Sequence, residues 1–142
     1  MKIGIINGPN LNLLGVREPQ MYGNQAFGAF LKKLENGYPD ITFSYIQSNV
    51  EGELIDALQK MGSDHDGIIL NPGGYTHTSV AIGDAVAAVP APVIGVHISN
   101  ISAREEFRKI SHVSAKCAGT ISGLGLDGYR LAVEYFRGRT SG

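Results

Sequence analysis

Arg17 and Tyr22 lie within one asparagine- and glycine-rich stretch, NGPNLNLLGVREPQMYG, from Asn7 to Gly23. A phenol with an ordinary pKa near 10 is about one part in a thousand ionised at neutral pH, so a tyrosine serves as a base only where a cation stabilises its phenolate. Arg17 is the cation at hand, and Asn10 adds an amide to the same segment. A loop this long between a strand and a helix is often a lid. The composition fits equally a surface loop in which Tyr22 packs and Arg17 is solvated, and spacing alone leaves both readings open.

Three further groups could complete a site. Asn71-Pro72-Gly73-Gly74-Tyr75-Thr76-His77 follows an apolar run and leads toward a helix expected to begin near Thr78 and to carry Asp84. Its glycines would let backbone approach a ligand, although plain turn chemistry uses the same residues. His97-Ile98-Ser99-Asn100 ends another apolar run. An imidazole with a pKa near 6.5 at a strand end is suited to moving protons, although a satisfied structural histidine fits the position nearly as well, and Ser99 with neighbouring N–H groups suits a carboxylate. Arg108 adds a charged or hydroxyl-binding contact. Gly123-Leu124-Gly125-Leu126-Asp127-Gly128 satisfies a dinucleotide-binding pattern, but no later strand follows to supply the acidic ribose contact, so tight strand-to-helix packing explains it better. The four histidines are scattered and the single Cys117 has no partner, which argues against zinc and excludes an internal disulfide. Cys117 reads as a small buried apolar residue.

These groups need a scaffold that brings them together. Short β-branched runs at Lys2 to Ile6, Ile41 to Gln47, Gly67 to Leu70, Val93 to Ile98 and Gly119 to Ser122 alternate with helical periods. Phe27, Phe30, Leu31 and Leu34 form one apolar stripe, Leu54, Leu58 and Met61 a second, and Tyr129, Ala132, Val133 and Phe136 a third. Ser102 to Glu105 fits a capping box opening a helix that presents Arg104 and Arg108 as i, i+4 neighbours. The expected fold is α/β: a flavodoxin-like three-layer sandwich with a five-stranded parallel sheet in order 2-1-3-4-5 and helices on both faces. Its carboxyl rim would gather Asn7 to Gly23, Asn71 to Thr78 and His97 to Ser102.

At 142 residues and 43% apolar content, one domain over residues 1–142 is expected. A net charge of -1 with interspersed signs argues against nucleic-acid or anionic-membrane binding. The N-terminus lacks an apolar signal core, and Pro90 and Pro92 break the most apolar long stretch, so a cytoplasmic protein is the default.

Four ordered segments carry a family resemblance: the opening stretch, SNVEGELID from Ser48, NPGGYTHTSVAI from Asn71 and VHISNISAREEFR from Val96. Together they resemble the type II 3-dehydroquinate dehydratases over nearly the full length. The resemblance implies an anti elimination of water from 3-dehydroquinate through an enolate, giving 3-dehydroshikimate in the shikimate pathway without cofactor or metal. It assigns Tyr22 as base, Arg17 as the group that lowers the tyrosine pKa, His97 as the acid for the departing hydroxyl and Asn10 as holder of a water near the enolate oxygen. Asn71, His77, Ile98, Ser99 and Arg108 match substrate-binding positions. Asp84 matches a residue that reaches a neighbouring subunit's site, which implies a homododecamer built as a tetramer of trimers.

Three positions depart from the family pattern. Gly95 stands where a glutamate usually orients the catalytic histidine, predicting lower activity or a substitute partner such as a water or another acid. Gly83 replaces a frequent arginine beside Asp84, and Val50 replaces a frequent aromatic or histidine at the expected pocket wall. The competing readings are a flavodoxin-like nucleotide- or flavin-binding module, and a weakly active family member because of Gly95. The type I enzymes of the same reaction use a Lys Schiff base on a TIM barrel, for which about 250 residues are typical, and this chain is too short for one.

Overall fold

The computed structural model describes residues 1–15 and 26–141. Five parallel strands, β1 (Lys2–Asn7), β2 (Thr42–Gln47), β3 (Gly67–Asn71), β4 (Val93–His97) and β5 (Gly119–Ser122), form one sheet in the order β2-β1-β3-β4-β5. The helices are α1 (Phe27–Gly37), α2 (Glu51–Gly62), α3 (Val80–Ala88) and α4 (Asp127–Ser141). This is the expected architecture.

Strand alternation divides the interior in two. Ile3, Ile5, Ile69, Ile94 and Val96 meet Phe27 and Leu34 of α1 and Tyr129, Ala132, Val133 and Phe136 of α4. Ile6, Ile68, Leu70 and Val93 face the other way, against Leu54 and Leu58 of α2 and Ile82 and Val86 of α3. The three central strands are buried on both faces, so their residues are almost all apolar, whereas β2 and β5 are edges with no fully buried residue, and β5 alternates. Burying the apolar side chains of these two layers supplies the main driving force for folding.

The register matters for function. Asn7 pairs with Asn71 and with Gln47, and His97 with Ser122, so the polar residues that end β1, β3 and β4 stand along one rim. Two strands run one residue further than the apolar runs suggest, because Asn7 and Asn71 still join the ladder.

One expected element is corrected. Residues 101–109 form two 3₁₀ turns, Ile101–Ala103 and Glu106–Lys109, and not an α-helix opened by Ser102. Arg104 and Glu105 are extended, which breaks the helical path between them. Asn100 is the cap, its Oδ1 accepting from the Ser102 N–H at 3.2 Å, while the Glu105 carboxylate pairs with Arg108 and does not reach back. The helix anticipated near Thr78 starts at Val80, with Ser79 Oγ accepting from the Ile82 N–H at 2.9 Å.

Candidate active site

A cleft of about 150 Å³ opens at the carboxyl rim and is lined by residues from the three connections that follow β1, β3 and β4. Asn10 comes from the first, Asn71 and His77 from the second, and His97, Ile98, Ser99 and Arg108 from the third. Seven positions singled out from the sequence therefore share one wall system. Arg17 and Tyr22 lie outside the described residues. Asp84 is exposed on α3 and does not line the cleft of its own chain; neither does Val50, which is exposed at the start of α2.

Close backbone approach holds the first two connections together. The Gly8 N–H donates to the Asn71 carbonyl at 2.7 Å, and a Cβ at Gly8 would stand 2.5 Å from the Pro72 carbonyl oxygen. Gly73 has a φ of +61° and lies against Pro9, a conformation that favours glycine. Asn10 is the one non-glycine among the described residues in the left-handed region, at φ 70°, where asparagine is tolerated better than most side chains. Its N–H donates to Asn49 Oδ1 at 3.1 Å.

The SNVEGELID segment contributes support and no cleft lining. Asn49 holds Asn10 and its carbonyl accepts from the Tyr75 hydroxyl at 3.0 Å, Glu51 accepts from the Ser79 hydroxyl, and Glu53 accepts from Ser48 at 2.6 Å. The bonds from Asn49 and Glu51 tie the segment to the two loops that bear Asn10 and His77, while the Glu53–Ser48 bond closes the start of α2 on itself.

Beneath the cleft lies a buried amide–phenol network. The Tyr129 hydroxyl donates to Asn7 Oδ1 at 2.7 Å and accepts from Asn71 Nδ2 at 3.0 Å, while Asn71 Oδ1 accepts from the Gly73 N–H at 3.1 Å. Burial raises the Tyr129 pKa far above the usual phenol value, so it remains a neutral donor and acceptor. Sequence reading took Tyr129 as a core residue of the α4 stripe and missed this role. The available signal was a hydroxyl on a stripe otherwise made of hydrocarbon, since a buried tyrosine needs a partner for its O–H.

The two histidines of the cleft are in different environments. His77 donates from Nδ1 to the Ile110 carbonyl at 2.8 Å, because a carbonyl only accepts, and this leaves Nε2 for the cleft. His97 is 5% exposed, and burial, followed by the nearby His77, lowers its pKa from 6.5 to about 4. Among the described residues, the substitute partner sought for His97 is neither a carboxylate nor an acid but the Ser114 hydroxyl, 3.4 Å from Nε2. The place a Gly95 side chain would enter is closed in by Thr120 Cγ2 and Cys117 Sγ, at 3.2 and 3.4 Å from an added Cβ. Cys117 is half-buried there, and burial pushes its thiol up to about 11.

Arg108 is held by Glu105 and lies over the Phe107 ring, with 5.0 Å to the ring centre. Arg104 also lines the cleft and donates to Ser99 Oγ at 3.4 Å. The expected helix placed Arg104 beside Arg108 without giving it a site role; the turn geometry gives it one, by bringing it onto Ser99. Gly123 and Gly125, both at positive φ, donate their N–H groups to the carbonyls of His97 and Ile98 at 3.1 and 3.0 Å. The glycine pattern thus braces the third connection, as tight packing requires.

Among the described residues no group of three or more His, Cys, Asp or Glu side chains is placed to hold a metal ion. No described helix is long and apolar enough to cross a membrane.

The comparisons with known proteins agree with this geometry. The model of the class II dehydroquinases matches residues 1–137. A Fusobacterium nucleatum protein named 3-dehydroquinate dehydratase is 54% identical over 95% of this chain and 95% of its own, and one of that name from an Exiguobacterium strain is 50% identical over 98% and 99%. The crystal structure of the type II dehydroquinase from Butyrivibrio crossotus superposes with a TM-score of 0.92 at 45% identity, covering 96% of this chain and 97% of that one. With its sheet order, rim cleft and near-complete matches, the chain belongs to the class II dehydroquinase family.

Proposed function

We propose that this dehydratase acts on 3-dehydroquinate by anti elimination through an enolate, with Tyr22 as base and His97 as acid. The observation that carries this reading is the convergence of Asn10, Asn71, His77, His97, Ser99 and Arg108 on one cleft, from connections far apart in the chain. Tyr22, with its pKa lowered by Arg17, takes the proton from the carbon alpha to the ketone. A depression of about two units corresponds to about 2.7 kcal/mol, within reach of a close arginine where water is excluded. The enolate is met by oriented donors, Asn10 acting through a water.

The substrate's carboxylate sits at Ser99 and the surrounding N–H groups. Its hydroxyls meet Asn71, His77 and Arg108, and Ile98 contributes backbone. His97 then hands a proton to the departing hydroxyl, and the products are 3-dehydroshikimate and water. The elimination is redox-neutral and moves one proton on and one off, so it needs no cofactor. The reading assigns the step to the shikimate pathway and a cytoplasmic setting. Asp84, remote from its own cleft, serves that of a neighbouring copy in a twelve-chain assembly.

The test is to mix purified protein with 3-dehydroquinate and follow the ultraviolet absorbance of the conjugated product. Wild type is expected to produce a steady rise, and Tyr22→Phe to lower the rate by about 10² to 10⁴. Wild-type absorbance no greater than that of Tyr22→Phe would exclude the reading.

A further inference from the structure

We infer that Ser114 is a positioning residue for His97, and that the segment from Ile110 to Cys117 is a seat that sets both imidazoles of the cleft. The inference rests on His97 being the acid. Ser114 Oγ lies 3.4 Å from His97 Nε2, and among the described residues the hydroxyl has no other hydrogen-bond partner. Four residues earlier, the Ile110 carbonyl fixes the tautomer of His77 through a 2.8 Å bond. One short stretch therefore touches both histidines.

That stretch is itself tied down. Ser111 Oγ lies 2.6 Å from Thr76 Oγ1 and accepts from the Ser114 N–H at 2.9 Å, and the His112 N–H donates to the Thr76 carbonyl at 2.9 Å. Val113 is 1% exposed in the layer between sheet and α3. Two glycines leave it room. A Cβ at Gly83 of α3 would stand 2.8 Å from the His112 carbonyl oxygen, a distance backbone cannot accept without moving. A Cβ at Gly95 of β4 would meet Cys117 Sγ and Thr120 Cγ2. The two glycines thus flank the same segment.

The chemistry suits a hydroxyl. Ser114 can donate to Nε2 of a neutral imidazole, which keeps the proton on Nδ1, and can turn to accept from Nε2–H once the ring is charged. Among the described residues Nδ1 has no other partner, so it is the nitrogen available to a bound molecule. A contact of 3.4 Å is long, and such contacts commonly tighten when substrate closes the site.

The test combines histidine ¹⁵N spectra with kinetics on wild type, Ser114→Ala, Ser114→Thr and Gly83→Val. Ser114→Ala is expected to shift the His97 ring nitrogens away from the Nδ1–H form, and to lower kcat about tenfold with KM changed less than about twofold. Ser114→Thr should restore both. Gly83→Val, by displacing His112, should lower kcat similarly, and adding Ser114→Ala to it should cost little more, as coupled sites do. Unchanged His97 spectra and kcat in Ser114→Ala would overturn the inference, as would a Ser114→Thr variant as impaired as alanine. A His97→Asn variant with wild-type kcat would instead refute the acid assignment, and the spectra would still report whether Ser114 sets the ring.

Discussion

His97 faces two demands that pull against each other. Burial and His77 hold its pKa at about 4, so the ring is neutral at pH 7, yet the acid proposed for it needs a proton to give. On the proposed mechanism a substrate carboxylate at Ser99 resolves this, since a nearby negative charge favours the imidazolium. The depressed value also has a consequence for stability. Below about pH 4 the ring is charged in both folded and unfolded chains, and above 6.5 it is neutral in both, so the unfolded chain binds more protons only between these limits. Stability contributed by His97 is therefore fully present above pH 6.5 and lost as pH falls toward 4, by about 3 kcal/mol at most. Unfolding by denaturant across this range should show a steeper acid loss in wild type than in His97→Gln. Equal slopes would mean that the buried ring titrates normally.

At this scale the sequence made Asn10, Asn71, His77, His97, Ile98, Ser99 and Arg108 legible, because each sits in a motif whose chemistry is visible in its residue types. Ser114, Arg104 and Asn7 were not legible as site groups. A serine in an ordinary polar stretch carries no sign of which imidazole it will meet, and that depends on how closely α3 and β4 let its segment approach.

Among the elements, the sheet was readable because central strands buried on both faces must be apolar, and β-branched runs announce them. The strand ends were less so, since Asn7 and Asn71 look like loop residues and yet pair across the ladder. Residues 101–109 misled the reading for a definite reason. A serine followed by a glutamate three residues on satisfies a capping box locally, but here Asn100 caps the turn and Arg108 claims Glu105. Two 3₁₀ turns then aim both arginines at the cleft, which a single α-helix with an i, i+4 pair would not have required. The glycine-rich Gly123–Gly128 run packs tightly under the site, with the N–H groups of Gly123 and Gly125 spent on the carbonyls of His97 and Ile98.

For the whole molecule, the fold places three distant connections at one rim, while Asp84 stands apart, exposed on the outer side of α3. Its proposed service to a neighbouring copy can be tested by mixing. Asp84→Ala and His97→Asn chains, each impaired alone, should regain activity when refolded together, because a mixed pair restores one complete site; mixtures no more active than the separate variants would remove Asp84 from any shared site. The division of labour between Tyr22 and His97 is tested most directly by proton exchange in D₂O. On the proposed mechanism, His97→Asn still deuterates 3-dehydroquinate at the carbon alpha to the ketone while forming almost no 3-dehydroshikimate, and Tyr22→Phe does neither. Loss of exchange in His97→Asn alongside loss of product, or exchange that persists in Tyr22→Phe, would contradict it.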